Sequence, residues 1–255
     1  MSEWRSMHYN NIAFIGFGLI AGSIAKAIRK YRPESIIYAY TNNRSELLKG
    51  KSDGIIDIVL EGIDNTLSDC DIVFLCTPVE FNDKYLRDIK PYIRKDAIVT
   101  DVGSTKSSIH SLAKELELED VFIGGHPMAG SEKTGYDASD ALLLENAYYM
   151  ITPSSKINVD KLKAFSEIIE SIKSIPFVID YQKHDKVVAT ISHLPHIIAA
   201  TLVNLVSEND YDDGVMKRVA AGGFKDITRI ASASPIMWEQ ICMLNCEPIN
   251  MMLRK

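Results

Sequence analysis

Cysteine is scarce in this chain. Its 255 residues hold four, Cys70, Cys76, Cys242 and Cys246, and no two form a C-x-x-C pair. That spacing argues against a disulfide scaffold and against a cysteine-based zinc site, so no metal is expected and the four read as reduced packing thiols of a cytoplasmic protein. A basic excess is lacking too. Lys and Arg total 28 against 34 Asp and Glu, a net charge of -6, whereas a nucleic-acid partner would need a basic face. Long apolar runs are also missing. The most apolar stretch, 191–206, is interrupted by His193, Pro195 and His196, and it reads as too polar and too short to span a bilayer, so no membrane partner is expected. The opening residues Met1-Ser2-Glu3-Trp4-Arg5-Ser6 carry neither an apolar core nor a cleavage site, so no secretory leader is expected. No internal repeat or low-complexity tract stands out. What is present is ordinary globular composition, 46% hydrophobic and 24% charged, which leaves ample material for a core.

Apolar strands punctuate the first two thirds. Asn11-Ile12-Ala13-Phe14-Ile15 predicts a buried strand running into Gly16, and residues 19–30 predict a helix with Ile20, Ile24 and Ile28 on one face. Further strands are expected at 36–40, at 71–76 (closed by Thr77-Pro78), at 97–101 and at 121–124, with helical stretches between most of them. Near-uniformly apolar strands that alternate with helices predict a parallel sheet covered on both faces. Two more strands, 148–152 and 176–180, flank an amphipathic helix at 160–172. Strand signals then stop, and the pattern from 184 to the end is helical. The expected organisation is therefore a doubly wound α/β domain over 1–181 and an all-helical domain over 182–255.

Gly16-Phe17-Gly18-Leu19-Ile20-Ala21-Gly22 follows the first strand and opens the first helix. Gly16 suits the tight turn, Gly18 lets backbone amides approach a pyrophosphate, and Ala21 and Gly22 allow close helix–strand packing. Gly16, Gly18, Leu19 and Ile20 are thus candidate dinucleotide-binding residues, with Thr77 and Pro78 at the end of a neighbouring strand. The second strand ends in Tyr40-Thr41-Asn42-Asn43-Arg44, without the acid that would hold the ribose hydroxyls of NAD. Thr41, Asn42, Asn43 and Arg44 can all donate to a 2′-phosphate, so the reading leans to NADP over NAD. The plainer alternative has Arg44 starting the next helix in solvent.

Two segments supply chemistry. Asp101-Val102-Gly103-Ser104-Thr105-Lys106 lies at a strand's carboxyl end, the ligand side of an open α/β sheet. Asp101 reads as a structural carboxylate, and Ser104 as a ligand-binding hydroxyl that could also cap a helix over 105–117. Gly125-His126-Pro127-Met128-Ala129-Gly130 places an imidazole in a glycine-rich loop. That imidazole can accept a proton from a hydroxyl as hydride leaves. A nucleotide cradle with a proton acceptor points to a dehydrogenase. Downstream, His193 and His196 share a helix face three residues apart, one reaching a substrate and the other packing. Arg229 offers a planar fork for a carboxylate, or else an ion pair with Asp226, while Trp238 reads as core.

Taken together in this order, with His184-Asp185, Ser192-His193-Leu194-Pro195-His196, Phe224-Lys225-Asp226-Ile227-Thr228-Arg229 and Pro235-Ile236-Met237-Trp238, these motifs resemble the prephenate dehydrogenase family of tyrosine biosynthesis over nearly the whole chain. The resemblance implies an N-terminal Rossmann domain and a helical domain that forms a homodimer. It also implies oxidative decarboxylation of prephenate to 4-hydroxyphenylpyruvate. His126 would take the ring hydroxyl proton, Ser104 would orient His126 and the hydroxyl, His196 would help bind substrate, and Arg229 would hold a carboxylate. Ser131 and Glu132 match positions lining the substrate entrance. Arogenate, which differs by an amine in place of the keto group, stays open as substrate. A β-hydroxyacid dehydrogenase (for which Lys225 is the tempting lysine) and a non-catalytic nucleotide sensor on the same fold stay open as well.

Overall fold

Five consecutive residues without a charge, Asn11–Ile15, form β1, and the chain turns at Gly16 into helix α1 (Leu19–Tyr31). The computed structural model describes residues 9–131 and 133–254. After α1 come β2 (Ile36–Tyr40), α2 (Arg44–Ser52), β3 (Ile58–Val59), β4 (Ile72–Leu75), α3 (Asn82–Ile89), β5 (Ile98–Asp101) and α4 (Ser107–Glu115). The parallel sheet runs β3-β2-β1-β4-β5. The order reverses beside β1, where the crevice at the carboxyl ends of the strands binds ligands in sheets of this kind.

Both faces of this sheet are buried, which is why its strands lack polar alternation. Ile12, Phe14 and Phe74 point into a core shared with Ile24 and Ile28 of α1, whereas Ala13, Ile15, Val73 and Leu75 meet Leu86 of α3 and Ile109 and Leu112 of α4. Phe14 stacks on Phe74 at 5.1 Å between ring centres, and Phe74 meets Phe165 at 6.1 Å.

A second sheet holds β6 (Ile123–Pro127), β7 (Tyr148–Pro153) and β8 (Ile175–Val178), with α5 (Val159–Ser171) between the last two. The expected parallel sheet is the five-stranded one, and this second sheet is mixed. β6 and β7 are antiparallel and β7 and β8 parallel. Among its described residues the 128–147 connection contains a single short helical turn, Tyr136–Ala138, and it returns the chain like a long hairpin instead of crossing over. A parallel bridge between Val99 and Phe122 joins β6 to the edge of the first sheet. The carboxyl ends of β1, β4, β5 and β6 therefore face the same way.

The chain divides into two compact units, 1–184 and 185–255. The division falls inside a continuous helix that opens with α6 (Tyr181–Val188), passes a π turn (Ala189–His193) and continues as α7 (Leu194–Asn209). The second unit adds α8 (Val215–Val219), α9 (Gly222–Thr228), α10 (Pro235–Leu244) and α11 (Cys246–Leu253). The interruption expected at His193, Pro195 and His196 is not found, because 191–206 lies within this longer helix. Pro195 sits within the first turn of α7, where its missing amide costs little, and the π turn absorbs the register change. Among the described residues one helix, Tyr181–Asn209, is thus long and apolar enough by length and composition to cross a membrane.

Candidate active site

The dinucleotide cradle is built as its glycines require. Gly16 has φ +89°, and a Cβ there would lie 2.8 Å from the carbonyl carbon and oxygen of Cys76 and 2.9 Å from Thr77 Cγ2. Only glycine lets β1 turn so close to the end of β4. Above Gly18 nothing among the described residues lies within 4 Å of a notional Cβ, leaving room at the N-terminus of α1 for a phosphate. Leu19 and Ile20 are half-buried in the first turn, and Thr77 Oγ1 lies 3.3 Å from Asn82 Oδ1 just ahead of Pro78. Gly22 packs against Tyr136 and Ser139, not against a strand as its spacing implied. The residues present fit a dinucleotide.

At the tip of β2, Tyr40 donates to Asn42 Oδ1 at 3.0 Å, and the Asn43 amide lies 3.4 Å from Thr41 Oγ1. Arg44 starts α2, but it is not alone in solvent, because its guanidinium holds Glu61 at 2.9 and 3.4 Å. The sequence concealed that carboxylate, which lies seventeen positions away beyond β3. Both partners are about 70% exposed, so the pair contributes less than about 1 kcal/mol and can be exchanged for another anion.

Asp101 organises the next two segments. One carboxylate oxygen accepts from the Gly103 amide at 2.9 Å and pairs with the Lys106 ammonium, and the other accepts from the Gly125 amide at 3.2 Å. Both side chains of the ion pair are fully buried. The structural reading of Asp101 follows, and its buried ion-pair partner is Lys106. Ser104 is half-buried in the loop they hold. It does not cap the helix as expected, since α4 begins at Ser107 with Lys106 as the preceding residue; the drawing-in of Lys106 toward Asp101 delays the first turn. Among the described residues Ser104 makes no hydrogen bond to His126. Burial and the Asp101 charge push the Cys76 thiol well above its ordinary range, so it stays protonated and does not compete as a nucleophile.

His126 lies in β6, not in a loop, because the strand extends through Pro127 and pairs His126 with Met150. It stands half-buried at the strand's carboxyl end, the same end as Gly16 and Asp101. Its Nδ1 lies 2.8 Å from Nε2 of His184, which is fully buried on α6. Strand alternation puts Gly124 on the face of His126. A Cβ at Gly124 would collide with Thr152 Oγ1 and lie 3.0 Å from His110 Nε2. The absent side chain lets His110 reach Thr152 at 2.9 Å, while its other nitrogen lies 3.3 Å from Ser154 Oγ. His110 stacks on Tyr181, the first residue of α6, at 4.4 Å. In the sequence His184 is signalled only by the His184-Asp185 pair at a helix start, and His110 by nothing local. Ser131 is exposed and accepts from the Lys133 amide at 3.2 Å. Glu132 lies outside the described residues.

The second unit holds the other candidates. His196 is buried on α7 and stacks on Trp238 at 3.6 Å with 4° between planes, so Trp238 packs as expected but on an imidazole. His193 meets the same indole edge-on and lies 2.9 Å from Asn245 Nδ2, which also donates to the Asp185 carbonyl. His193 therefore takes the packing role. Burial lowers the His196 pKa, partly offset by a hydrogen bond to the Ile230 backbone. His196 is thus neutral at pH 7, and its Nδ1 is buried without a partner among the described residues. Arg229, exposed at the end of α9, forms no ion pair with Asp226 among the described residues, which leaves its fork available. No group of three or more His, Cys, Asp and Glu residues that could hold a metal occurs among the described residues.

Comparison with known proteins gives concordant matches. The family described as "Prephenate dehydrogenase, nucleotide-binding domain" matches residues 24–176, and "Prephenate dehydrogenase, dimerization domain" matches 180–255. The chain is 39% identical to a prephenate dehydrogenase of Lactococcus lactis over 92% of its own length and 65% of that relative. It is 37% identical to one of Bacillus subtilis over 94% of its length and again 65% of the relative. It thus spans about two thirds of the length of these relatives. A crystal structure of the Aquifex aeolicus prephenate dehydrogenase with hydroxyphenyl propionate and NAD+ superposes with a TM-score of 0.90 at 32% identity, covering 98% of this chain and 87% of that one.

Proposed function

The chain belongs to the prephenate dehydrogenase family, and on that premise we propose that it converts prephenate to 4-hydroxyphenylpyruvate and carbon dioxide with reduction of a nicotinamide cofactor. The observation that carries this reading is the half-buried His126 imidazole, at the carboxyl end of β6 and the same end of the sheet as the Gly16 turn. A proton acceptor there can serve a substrate whose hydride leaves toward the cradle.

Gly16, Gly18, Leu19 and Ile20 would hold the pyrophosphate, with Thr77 and Pro78 beside it. The bound nicotinamide supplies the hydride acceptor. His126 takes the proton of the ring hydroxyl as the C–H bond of the same carbon gives up its hydride, which leaves a ring ketone. Loss of the ring carboxylate as carbon dioxide then sends its electron pair into the ring and makes a phenolate. The proton held by His126 returns to that oxygen. Ser104 would steer the substrate oxygen. His196, neutral and with an Nδ1 that has no partner among the described residues, and Arg229, with no ion pair among them, would be the binding groups for the side chain and a carboxylate. Ser131 and Glu132 complete the proposed substrate set.

Replacing Arg229 with Ala is expected to raise KM for prephenate about 10- to 150-fold with a smaller change in kcat, since a charge-assisted hydrogen bond is worth about 1.5–3 kcal/mol. Steady-state kinetics check it, and an unchanged KM removes Arg229 from the substrate site.

For the cofactor, the absence of an acid at Thr41 and the donors of Thr41, Asn42 and Arg44 favour NADP. A dianionic 2′-phosphate would draw Arg44 from its exposed pair with Glu61. Turnover of prephenate with NADP+ and with NAD+ tests both the reaction and this preference; a higher kcat/KM with NAD+ reverses the preference.

The second unit leaves many large apolar side chains exposed, among them Ile191, Leu205, Ile236 and Met243, each more than half exposed. We assign this surface to a homodimer, in a cytoplasmic setting that suits four free thiols. Sedimentation is expected to give twice the chain mass; a monomer at micromolar concentration contradicts it.

A further inference from the structure

A base must present a lone pair, and an imidazole that accepts at one nitrogen carries its proton on the other. If His126 receives the substrate proton at Nε2, its Nδ1 must hold a hydrogen, and that hydrogen needs an acceptor. His184 Nε2 stands 2.8 Å away. We propose that His184 is the positioning residue of the catalytic base: it accepts from His126 Nδ1–H, fixes the tautomer whose lone pair is on Nε2, and holds the ring plane. This inference rests on the reading of His126 as the base. It is not a contact with substrate, and His184 does no chemistry on the reacting atoms.

The surroundings support a placed partner and not an incidental neighbour. His184 is fully buried, and its ring is tilted 60° to that of His126 at 5.1 Å, a geometry for an in-plane hydrogen bond and not for stacking. Its helix is fixed at the start. Asp180 Oδ1 caps the Lys183 amide at 2.9 Å, and the Asp180 carbonyl accepts the first helical bond from the His184 amide at 2.8 Å. Tyr181 is pressed on His110, whose two nitrogens lie within reach of Thr152 and Ser154 on β7. β7 in turn is paired with the strand that carries His126. The two imidazoles are thus referenced to one sheet. Because the neighbouring nitrogen sets which ring nitrogen is protonated, a neutral His184 is bound to carry its own proton on Nδ1. When His126 becomes imidazolium its Nδ1–H bond to His184 strengthens, as a bond from a charged donor does.

The test uses the full chain with nitrogen-15-labelled histidine and three variants, His126→Asn to assign the His126 signals among the six histidines, His184→Met to remove the acceptor, and His184→Gln to restore one. In the wild type the His126 imidazole should be in the Nδ1–H form. His184→Met should turn this into a tautomer mixture and lower kcat about 10- to 100-fold, the range for loss of a residue that orients a ligating or reacting histidine, with KM for prephenate little changed. His184→Gln should return both the spectrum and most of kcat. A His126 signal that is Nε2–H in the wild type, or unchanged in His184→Met, overturns the proposal, as does an unchanged kcat in that variant. Should His184→Met not fold, the wild-type spectrum decides alone. A wild type that does not turn over prephenate sinks the functional reading instead, and the spectrum still reports on the bond to His184.

Discussion

Replacement of His126 with Asn is expected to lower kcat for prephenate about 10²- to 10⁴-fold, the usual contribution of a positioned general base. Asn has similar size and can hold a hydrogen bond to the substrate hydroxyl, but it accepts no proton at neutral pH. Binding of the cofactor should be unaltered, because the cradle is built at Gly16 and Gly18 from backbone of β1 and α1. Binding of the reduced nicotinamide, followed by its fluorescence, supplies that control. The pattern of lost turnover with retained binding assigns the base. Activity within a few fold of the parent removes His126 from that role and moves attention to another proton acceptor.

The largest effect on stability is expected at Asp101. Its carboxylate accepts from the amides of Gly103 and Gly125 and pairs with Lys106, and both charged groups are fully buried. Asp101→Ala removes the carboxylate shared by a fully buried ammonium and two amides, and breaking a buried pair from one side costs about 3–5 kcal/mol. Urea unfolding followed by far-UV circular dichroism measures it. Asp101→Asn should still be strongly destabilising, because it keeps the shape and loses the charge. The double variant Asp101→Leu, Lys106→Met should recover much of the loss, since a buried pair exchanged for apolar groups is close to neutral. It should nevertheless turn over slowly, because the loop of Ser104 and the amide next to His126 lose their common anchor. If the single variants unfold at the parent's urea concentration, the pair does not organise the site.

Much of the first unit was legible because it rests on local rules. Apolar strands, the Gly16 turn and a ligand-side Asp101–Lys106 loop each follow from residues within one short window, and each sits at the expected end of the sheet. What the sequence hid depends on partners far apart in the chain. The antiparallel pairing of β6 and β7 depends on how the chain returns through 128–147, which no periodicity reports. That pairing also turns a histidine expected in a loop into a strand residue. Arg44 and Glu61 are seventeen residues apart, and His126 and His184 fifty-eight. Ser104, three residues past the end of β5, resembles a helix cap in the sequence, while the buried attraction of Lys106 to Asp101 sets the later start of α4. Pro195 reads as a break in the sequence because its position within the first turn of α7, after a π turn, depends on the whole helix.

The central claim is that this chain carries out an oxidative decarboxylation at His126. It is tested most directly by a product balance. Purified protein is mixed with prephenate and excess cofactor, and reduced nicotinamide, carbon dioxide and 4-hydroxyphenylpyruvate are quantified in the same sample, beside an identical sample of His126→Asn. The account predicts the three products in equal amounts from the parent and almost none from the variant. Cofactor binding by a folded parent without formation of reduced nicotinamide, or reduced nicotinamide without release of carbon dioxide, would contradict it.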